Sequence, residues 1–346
     1  MTMDTAMPVP PHTDTSAALA IEAHDLVKTY PKGVRALDGL SFAVPAGTVF
    51  ALLGPNGAGK STTVKILTTL AQADSGTAAV AGLDVGARPA QVRHSIGVVA
   101  QRSGADPVAT GRENILLTGR IQGMRGRRLS ARTDELLGRF GLAGAAGRLV
   151  RTYSGGMQRR LDAAMGLVNQ PQVLFLDEPT AGLDPESRSA MWDEIGRLSA
   201  GDGLTILLTT HYLEEADRLA RRLAIVDRGR VVTEGSPDEL KGQLHGDSVH
   251  IELAGQAGRE RLLAALSPLP VIREVRVDGS QLSARADNGA TALPAVLAAL
   301  EAAGLPVRAA TVARPSLDDV YLRHAGRRFA DADQHPGTPS QNGESR

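Results

Sequence analysis

The sequence predicts an α/β fold: a phosphate-loop domain on a mainly parallel core sheet with a helical insert, followed by a small α+β ferredoxin-like domain. Three observations carry this. Gly54-Pro-Asn-Gly-Ala-Gly-Lys60-Ser61 fits the pattern G-x-x-x-x-G-K-[S/T] at every fixed position. From about Ile21 to Thr233, short β-type runs alternate with helical segments. Among them Val173–Leu176, Leu204–Leu208 and Leu223–Val226 are almost continuously apolar, as strands covered on both faces should be. After Pro237 the order becomes β-α-β-β-α-β.

Taken in order, residues 1–20 hold Pro8, Pro10 and Pro11 among Thr, Asp and Ala, with neither a basic start nor an apolar core. They read as a disordered leader rather than a signal peptide. Thr48–Leu53 is a strand, and Ser61–Leu70 a helix with Val64, Leu67 and Leu70 on one face. Between about 102 and 152 the strand signal fades, and Arg112–Gln122 and Ser130–Phe140 read as helices of an insert. Its basic cluster, Arg120, Arg125, Arg127, Arg128 and Arg132, suits a solvated helix face; contact with anionic lipid head groups or a partner protein is the other reading. The first domain is expected over 21–237. The second, over 245–325, consists of strand Ser248–Leu253, helix Arg259–Leu266, strands Val271–Val277 and Gln281–Ala286 around the hairpin signal Asp278-Gly279, helix Ala292–Ala303 and strand Pro306–Val312. A last helix covers Ser316–His324, and the polar stretch 327–346 reads as a disordered tail.

Composition narrows the class. Lys+Arg and Asp+Glu are both 38 in 346 residues, and a zero net charge argues against a nucleic-acid protein, which usually carries a basic excess. There is no cysteine, which removes disulfides and thiolate metal sites and is compatible with a cytosolic location. No apolar run approaches the ~18 residues a membrane helix needs.

The loop after Leu53 suits one kind of chemistry. Small residues let backbone N–H groups turn inward around a phosphate, and the following helix offers the same anion its positive dipole end. Binding falls to Gly54, Pro55, Asn56, Gly57, Ala58, Gly59, Lys60, Ser61 and Thr62; Lys60 can reach the β/γ-phosphates and the Ser61 hydroxyl can hold Mg²⁺. A second station follows the apolar strand Val173–Leu176, which ends in Asp177-Glu178. Such a pair can be a helix cap or turn. Beside a phosphate loop it points to a site at the carboxyl edge of the sheet, with Asp177 holding Mg²⁺ and Glu178 orienting or deprotonating an attacking water.

Further stretches resemble those of ATP-binding cassette (ABC) proteins, over about Ile21 to Gly235 and in the family's order. Thr152-Tyr-Ser154-Gly155-Gly156-Met157-Gln158 resembles the signature motif, Ala181-Gly-Leu-Asp184 the D-loop, His211 the switch histidine and Gln101 the Q-loop glutamine. Tyr30 matches the aromatic that stacks on adenine. The resemblance implies an ATPase subunit of an ABC transporter, with ATP and Mg²⁺ as cofactors and catalysis by Glu178, His211, Gln101 and Lys60. It implies Ser61, Gln101 and Asp177 around the metal, and Ser154, Gly155, Gly156 and Asp184 meeting the nucleotide of the opposite subunit in a head-to-tail homodimer. It also implies a separate membrane-spanning permease subunit, a peripheral place at the cytoplasmic face of the membrane, and no nucleic-acid partner. One departure stands out: Tyr153 and Met157 replace the usual Leu and Gln of the signature motif.

Thr110-Gly-Arg-Glu-Asn114, the Tyr-Ser-Gly-Gly-Met form and Arg314-Pro-Ser-Leu-Asp-Asp-Val-Tyr321 are similar to the drug-exporter branch, the daunorubicin/doxorubicin-resistance subunits. This implies efflux of an antibiotic or other hydrophobic compound. The alternatives are a soluble cassette ATPase acting on ribosomes or nucleic acid, and a motor for another cargo such as lipid or polysaccharide. The small second domain carries no phosphate motif and is expected to serve assembly, separable from nucleotide binding.

Overall fold

The computed structural model describes residues 18–244, 246–255, 258–327 and 329–330, without the side chains of Asp202 and Asp278. The chain opens with an antiparallel ribbon, β1 (Leu19–Tyr30) and β2 (Val34–Pro45), then β3 (Val49–Leu53) and α1 (Lys60–Leu67). β4 (Ser75–Val80), β5 (Leu83–Asp84), α2 (Pro89–Ser95) and β6 (Ile96–Val99) precede three helices, α3 (Gly111–Ile121), α4 (Gly126–Arg139) and α5 (Gly155–Gly166). β7 (Val173–Asp177), α6 (Pro185–Asp202), β8 (Thr205–Thr210), α7 (Leu213–Leu219), β9 (Arg222–Asp227) and β10 (Arg230–Gly235) complete the first unit. The rest is α8 (Pro237–Gly242), β11 (Asp247–Leu253), α9 (Arg259–Leu266), β12 (Arg273–Asp278), β13 (Gln281–Ala286), α10 (Gly289–Ala302), β14 (Val307–Ala313) and α11 (Leu317–Ala325).

The central sheet has the order β10-β9-β3-β8-β7-β6; its pairs are parallel except the β10 edge. Its strands alternate between two cores. Ala51, Leu53, Leu174, Leu176, Ile206 and Leu208 face the helical side, while Phe50, Leu52, Val173, Phe175 and Leu207 face a second, antiparallel sheet of order β2-β1-β4-β5. Burial of both faces explains the unbroken apolar runs. Phe42 stacks on Phe50 at 5.5 Å and joins the two sheets. The antiparallel sheet was not legible in sequence, because irregular register breaks the alternation of β1 against both its partners and β5 is only two residues long.

The ends of helices follow local chemistry. Thr110 and Glu113 form a capping box on α3, and Asp184 caps α6 with Pro185 at its first position. Some boundaries differ from expectation. α1 stops at Leu67, and Leu70 is turned into solvent rather than onto the core. α4 starts at Gly126, four residues early. Of the basic cluster, Arg132 is packed: it pairs with Glu135 at 2.5 Å and donates to the Leu167 carbonyl, while Arg120, Arg125, Arg127 and Arg128 are exposed.

The small sheet has the ferredoxin-like order β12-β13-β11-β14, covered on one face by α9 and α10 through Leu262, Leu266, Val296 and Leu300. β12 starts at Arg273 rather than Val271, and Glu274, at φ 51°, bulges its pairing with β13.

The last helix packs on the first unit. Leu317, Val320 and Tyr321 belong to the helical-side core of the first unit, with Phe329 edge-on to Tyr321 at 4.9 Å. Tyr321 is fully buried and donates its hydroxyl to Asp227 at the end of β9, and burial together with that carboxylate pushes its phenol pKa up. Arg327 pairs with the same Asp227 oxygen at 2.8 Å. Arg327 and Phe329 therefore belong to the fold rather than to a tail, because a buried carboxylate needs a cation and the ring needs an apolar seat. Likewise Leu19 and Ala20, assigned to a leader, start β1; residues 1–17 and 331–346 of the expected leader and tail lie outside the described residues.

Tyr321→Ala should lower the unfolding free energy by about 3–5 kcal/mol, as for other fully buried aromatic side chains, and Tyr321→Phe by about 1 kcal/mol. Urea unfolding of the full chain measures this; a loss below about 1 kcal/mol for the Ala variant would remove α11 from the first core.

Candidate nucleotide site

Four adjacent parallel strands, β3, β8, β7 and β6, end on the same edge, and each delivers one segment to a common site. After β3 comes the phosphate loop. Gly59, the N-cap of α1, sits at φ 108°, and a Cβ there would lie 2.6 Å from the Ala36 carbonyl, so only glycine fits. The loop is braced by the β9–β10 turn, where the Gly229 N–H donates to the Ala58 carbonyl at 2.9 Å. Asn56 and Gly57 form its exposed tip, and Ser61 and Thr62 open α1 half-buried. Lys60 is buried, and its Nζ donates to the carbonyls of Gly54 (2.6 Å) and Pro55 (3.0 Å).

β7 ends in the carboxylate pair. Asp177 Oδ1 accepts from Ser61 Oγ at 3.1 Å and from Thr209 Oγ1 at 2.5 Å. Glu178, only 7% exposed, is the focus of the site. Its Oε1 lies 3.8 Å from Lys60 Nζ and 3.2 Å from His211 Nδ1, the latter a close approach without the alignment of a hydrogen bond. Its Oε2 accepts from Gln101 Nε2 at 2.9 Å. The His211 imidazole, then the Lys60 charge and the Gln101 amide, hold the Glu178 pKa below the ordinary value against the opposing effect of burial. The Glu178 backbone sits at φ 50°, a left-handed conformation that costs a non-glycine residue about 1–2 kcal/mol. The surrounding chain pins it there: its N–H donates to the carbonyl and the hydroxyl oxygen of Thr209, both at 3.1 Å.

Of the residues singled out from sequence, Lys60, Ser61, Gln101, Asp177, Glu178 and His211 are thus brought together. The rest of the phosphate loop adjoins them, and the remaining residues lie on other segments. Tyr30 ends β1 half-buried, with Lys28 Nζ 5.8 Å from its ring centre. Ser154, Gly155 and Asp184 are exposed. The Ser154 hydroxyl caps α5 by accepting from the Met157 N–H, and the Asp184 carboxylate caps α6 from Ser187, which lowers its pKa. Gly156 has a packing reason to be glycine: a Cβ there would come within 2.7 Å of Ser187 Oγ. Two side chains that join the site escaped sequence reading. The Thr209 hydroxyl donates to the Asp177 carboxylate and accepts from the Glu178 backbone N–H, and Arg159 reaches the Glu178 carbonyl. Neither lies in a motif that marks it; only the sheet order and the packing of α5 reveal them.

A glycine loop on a helix N-terminus, with strand-end carboxylates beside it, defines a phosphate-loop nucleotide hydrolase. Known proteins agree. The family model for ABC transporters matches residues 37–181, and that for the C-terminal domain of DrrA1-3-like ATP-binding proteins matches 235–325. The chain is 47% identical over 316 residues to the daunorubicin/doxorubicin resistance ATP-binding protein DrrA of Streptomyces peucetius, covering 90% of this chain and 94% of that one. It is 42% identical over 308 residues to the doxorubicin resistance ATP-binding protein of Mycobacterium tuberculosis (88% and 93%). It is 41% identical over 318 residues to the Nod factor export ATP-binding protein I of Sinorhizobium fredii (90% and 88%). A dimeric ATP-binding cassette with ADP and phosphate bound aligns with a TM-score of 0.58 at 26% identity, over 62% of this chain and 98% of that one. A Clostridium perfringens subunit of an ABC transporter complex aligns at 0.60 and 26% identity, over 73% and 96%. The chain belongs to the ABC transporter ATP-binding proteins, in the daunorubicin/doxorubicin-resistance group, and is an ATPase.

The Glu178 charge has a consequence for acid stability. A carboxyl whose pKa is lower in the folded than in the unfolded chain stabilises the fold above its unfolded value, here 4.5, and this contribution is lost as pH falls through the folded value. Unfolding free energy should therefore fall less steeply below pH 4.5 in Glu178→Gln than in the parent. Denaturant unfolding over this range checks it; equal slopes would show that the charge is not stabilised in the folded state.

Proposed function

We propose that this chain is the motor of a drug exporter: ATP binding closes a head-to-tail pair of copies, hydrolysis reopens it, and a separate membrane subunit carries an antibiotic or other hydrophobic compound. The observation that carries the reading is the convergence of Lys60, Gln101 and His211 on the buried Glu178 carboxylate, beside the phosphate loop. The relatives named for daunorubicin and doxorubicin resistance, aligned over most of both chains, support the cargo class.

In this reading Lys60 binds the β/γ-phosphates, and His211 and Gln101 flank the γ-phosphate. Glu178 takes the proton of the attacking water as its oxygen bonds to phosphorus and the bond to ADP breaks. A Mg²⁺ ion fits the donor set, since the Ser61 hydroxyl and Asp177 carboxylate are hard oxygen ligands 3.1 Å apart and the Gln101 amide oxygen completes the protein's share. When bound, Mg²⁺ supplies charge neutralisation at the phosphate oxygens. The exposed Ser154 hydroxyl, the start of α5 and Asp184 serve the nucleotide of the opposite copy. Tyr30 stacks on adenine.

The permease contact falls at a groove of about 320 Å³ between the β6 edge and the helical insert, reached from the catalytic core through Gln101. Leu70, Val98 and Ile121 are exposed on and beside it, an apolar surface that suits a protein partner. Among the described residues no helix is long and apolar enough to cross a membrane. The chain would work peripherally, at the cytoplasmic face.

Glu178→Gln should bind ATP within about threefold of the parent but lose turnover by a factor on the order of 10²–10⁴, the usual worth of a general base. Lys60→Ala should instead weaken ATP binding itself. Fluorescent-nucleotide titration and phosphate release distinguish the two; near-parental hydrolysis in Glu178→Gln would remove it from the role given.

A further inference from the structure

One guanidinium ties three stations of the site together. Arg159 lies on α5, five residues after Ser154, and is 7% exposed. Its Nη1 donates to the Ala100 carbonyl at 2.6 Å, and its Nη2 donates to the carbonyls of Gln101 (2.7 Å) and Glu178 (3.1 Å). Burial pulls its pKa down, while the charges of Asp162, Asp177 and Glu178 hold it ionised. One turn further along α5, Asp162 accepts from the Ser103 hydroxyl at 2.9 Å and the Gly104 N–H at 3.1 Å, so the chain leaving Gln101 is held on both sides.

The bond to Glu178 matters most. Glu178 must keep its left-handed backbone to aim its carboxylate between Lys60, His211 and Gln101. Thr209 fixes the N–H side of that residue; on the carbonyl side the bonds are from Arg159 Nη2 and from the Ala181 N–H at 3.2 Å. The same guanidinium fixes the backbone of Gln101, whose side chain holds Glu178 Oε2. A planar fork that bonds three carbonyls at once is a task for arginine; an ammonium at the same place cannot span them in the same geometry.

We infer that Arg159 is a positioning residue for hydrolysis: through the Glu178 and Gln101 carbonyls it sets the catalytic carboxylate relative to the helix that starts at Ser154. This rests on the reading of Glu178 as the hydrolytic base. It follows that Arg159 matters to the chemical step and little to nucleotide binding, because its bonds go to the carbonyls of Ala100, Gln101 and Glu178. Loss of the fork displaces the carboxylate, and misplacement of a reacting group by about 1 Å costs on the order of 10²-fold in rate.

The test uses the full chain and three variants, Arg159→Met, Arg159→Lys and Glu178→Gln, with Mg²⁺ and ATP. For Arg159→Met, kcat should fall about 100-fold, with KM and ATP affinity within about threefold of the parent. Arg159→Lys should recover part of that loss. A readout of assembly separates positioning from general loosening of α5. Like Glu178→Gln, Arg159→Met should accumulate an ATP-dependent dimer in size-exclusion chromatography, since it blocks hydrolysis while leaving Ser154 in place. Turnover within about threefold of the parent, a parallel loss of ATP affinity, or failure to dimerise where Glu178→Gln does would each overturn the inference. If Arg159→Met does not fold, Arg159→Lys decides alone, by a fall in kcat at unchanged KM. If Glu178→Gln itself keeps full turnover, it is the reading of the base that fails.

Discussion

A carboxylate held almost out of water at the end of a strand is the constraint on which the rest of this structure depends. Removing a charge from water costs several kcal/mol unless it is paired and hydrogen-bonded. Glu178 meets that cost with partners from three different loops: Lys60 after β3, His211 after β8 and Gln101 after β6. No local stretch of sequence could supply all of them. The strand order β3-β8-β7-β6 does so, because parallel neighbours place their carboxyl ends side by side. The apolar continuity of these strands and the two cores that clamp the sheet keep that edge in register, and with it the site.

The second unit is joined to the first by packing rather than by a linker alone. Tyr321 and Phe329 complete the helical-side core, and Tyr321 and Arg327 both hold Asp227 at the end of β9. The turn after β9 in turn bonds the Ala58 carbonyl in the phosphate loop. The outer face of the small sheet meets the same helix, with Ser248 donating to Asp319 and Arg276 donating to the Leu322 carbonyl. α11 therefore faces both units, and its burial explains why Arg327 and Phe329 pack against the first unit.

Much of this was legible in the sequence, for reasons that can be stated residue by residue. The phosphate loop shows itself because its glycines and Lys60 are dictated by local backbone geometry. Buried parallel strands show themselves as unbroken apolar runs, and the small domain through its Asp278-Gly279 turn and regular spacing. What was hidden depends on tertiary partners. The antiparallel sheet β2-β1-β4-β5 has irregular register along β1 and a two-residue edge strand, so its alternation is broken. Leu70 looks like the next core position of α1, yet the helix ends at Leu67. Arg159 reads as an ordinary polar helix residue, and Phe329 as a lone apolar residue in a tail, until the segments they touch are folded against them.

The most direct measurement is a structure of the Glu178→Gln chain with ATP and Mg²⁺. Two copies should lie head to tail, with each γ-phosphate between Lys60 and His211 of one copy and Ser154 of the other. The residue at 178 should face the γ-phosphate from its left-handed backbone, with Arg159 on its carbonyl. A nucleotide bound with position 178 turned away from the γ-phosphate, or a closed pair in which Ser154 meets no nucleotide, would contradict it.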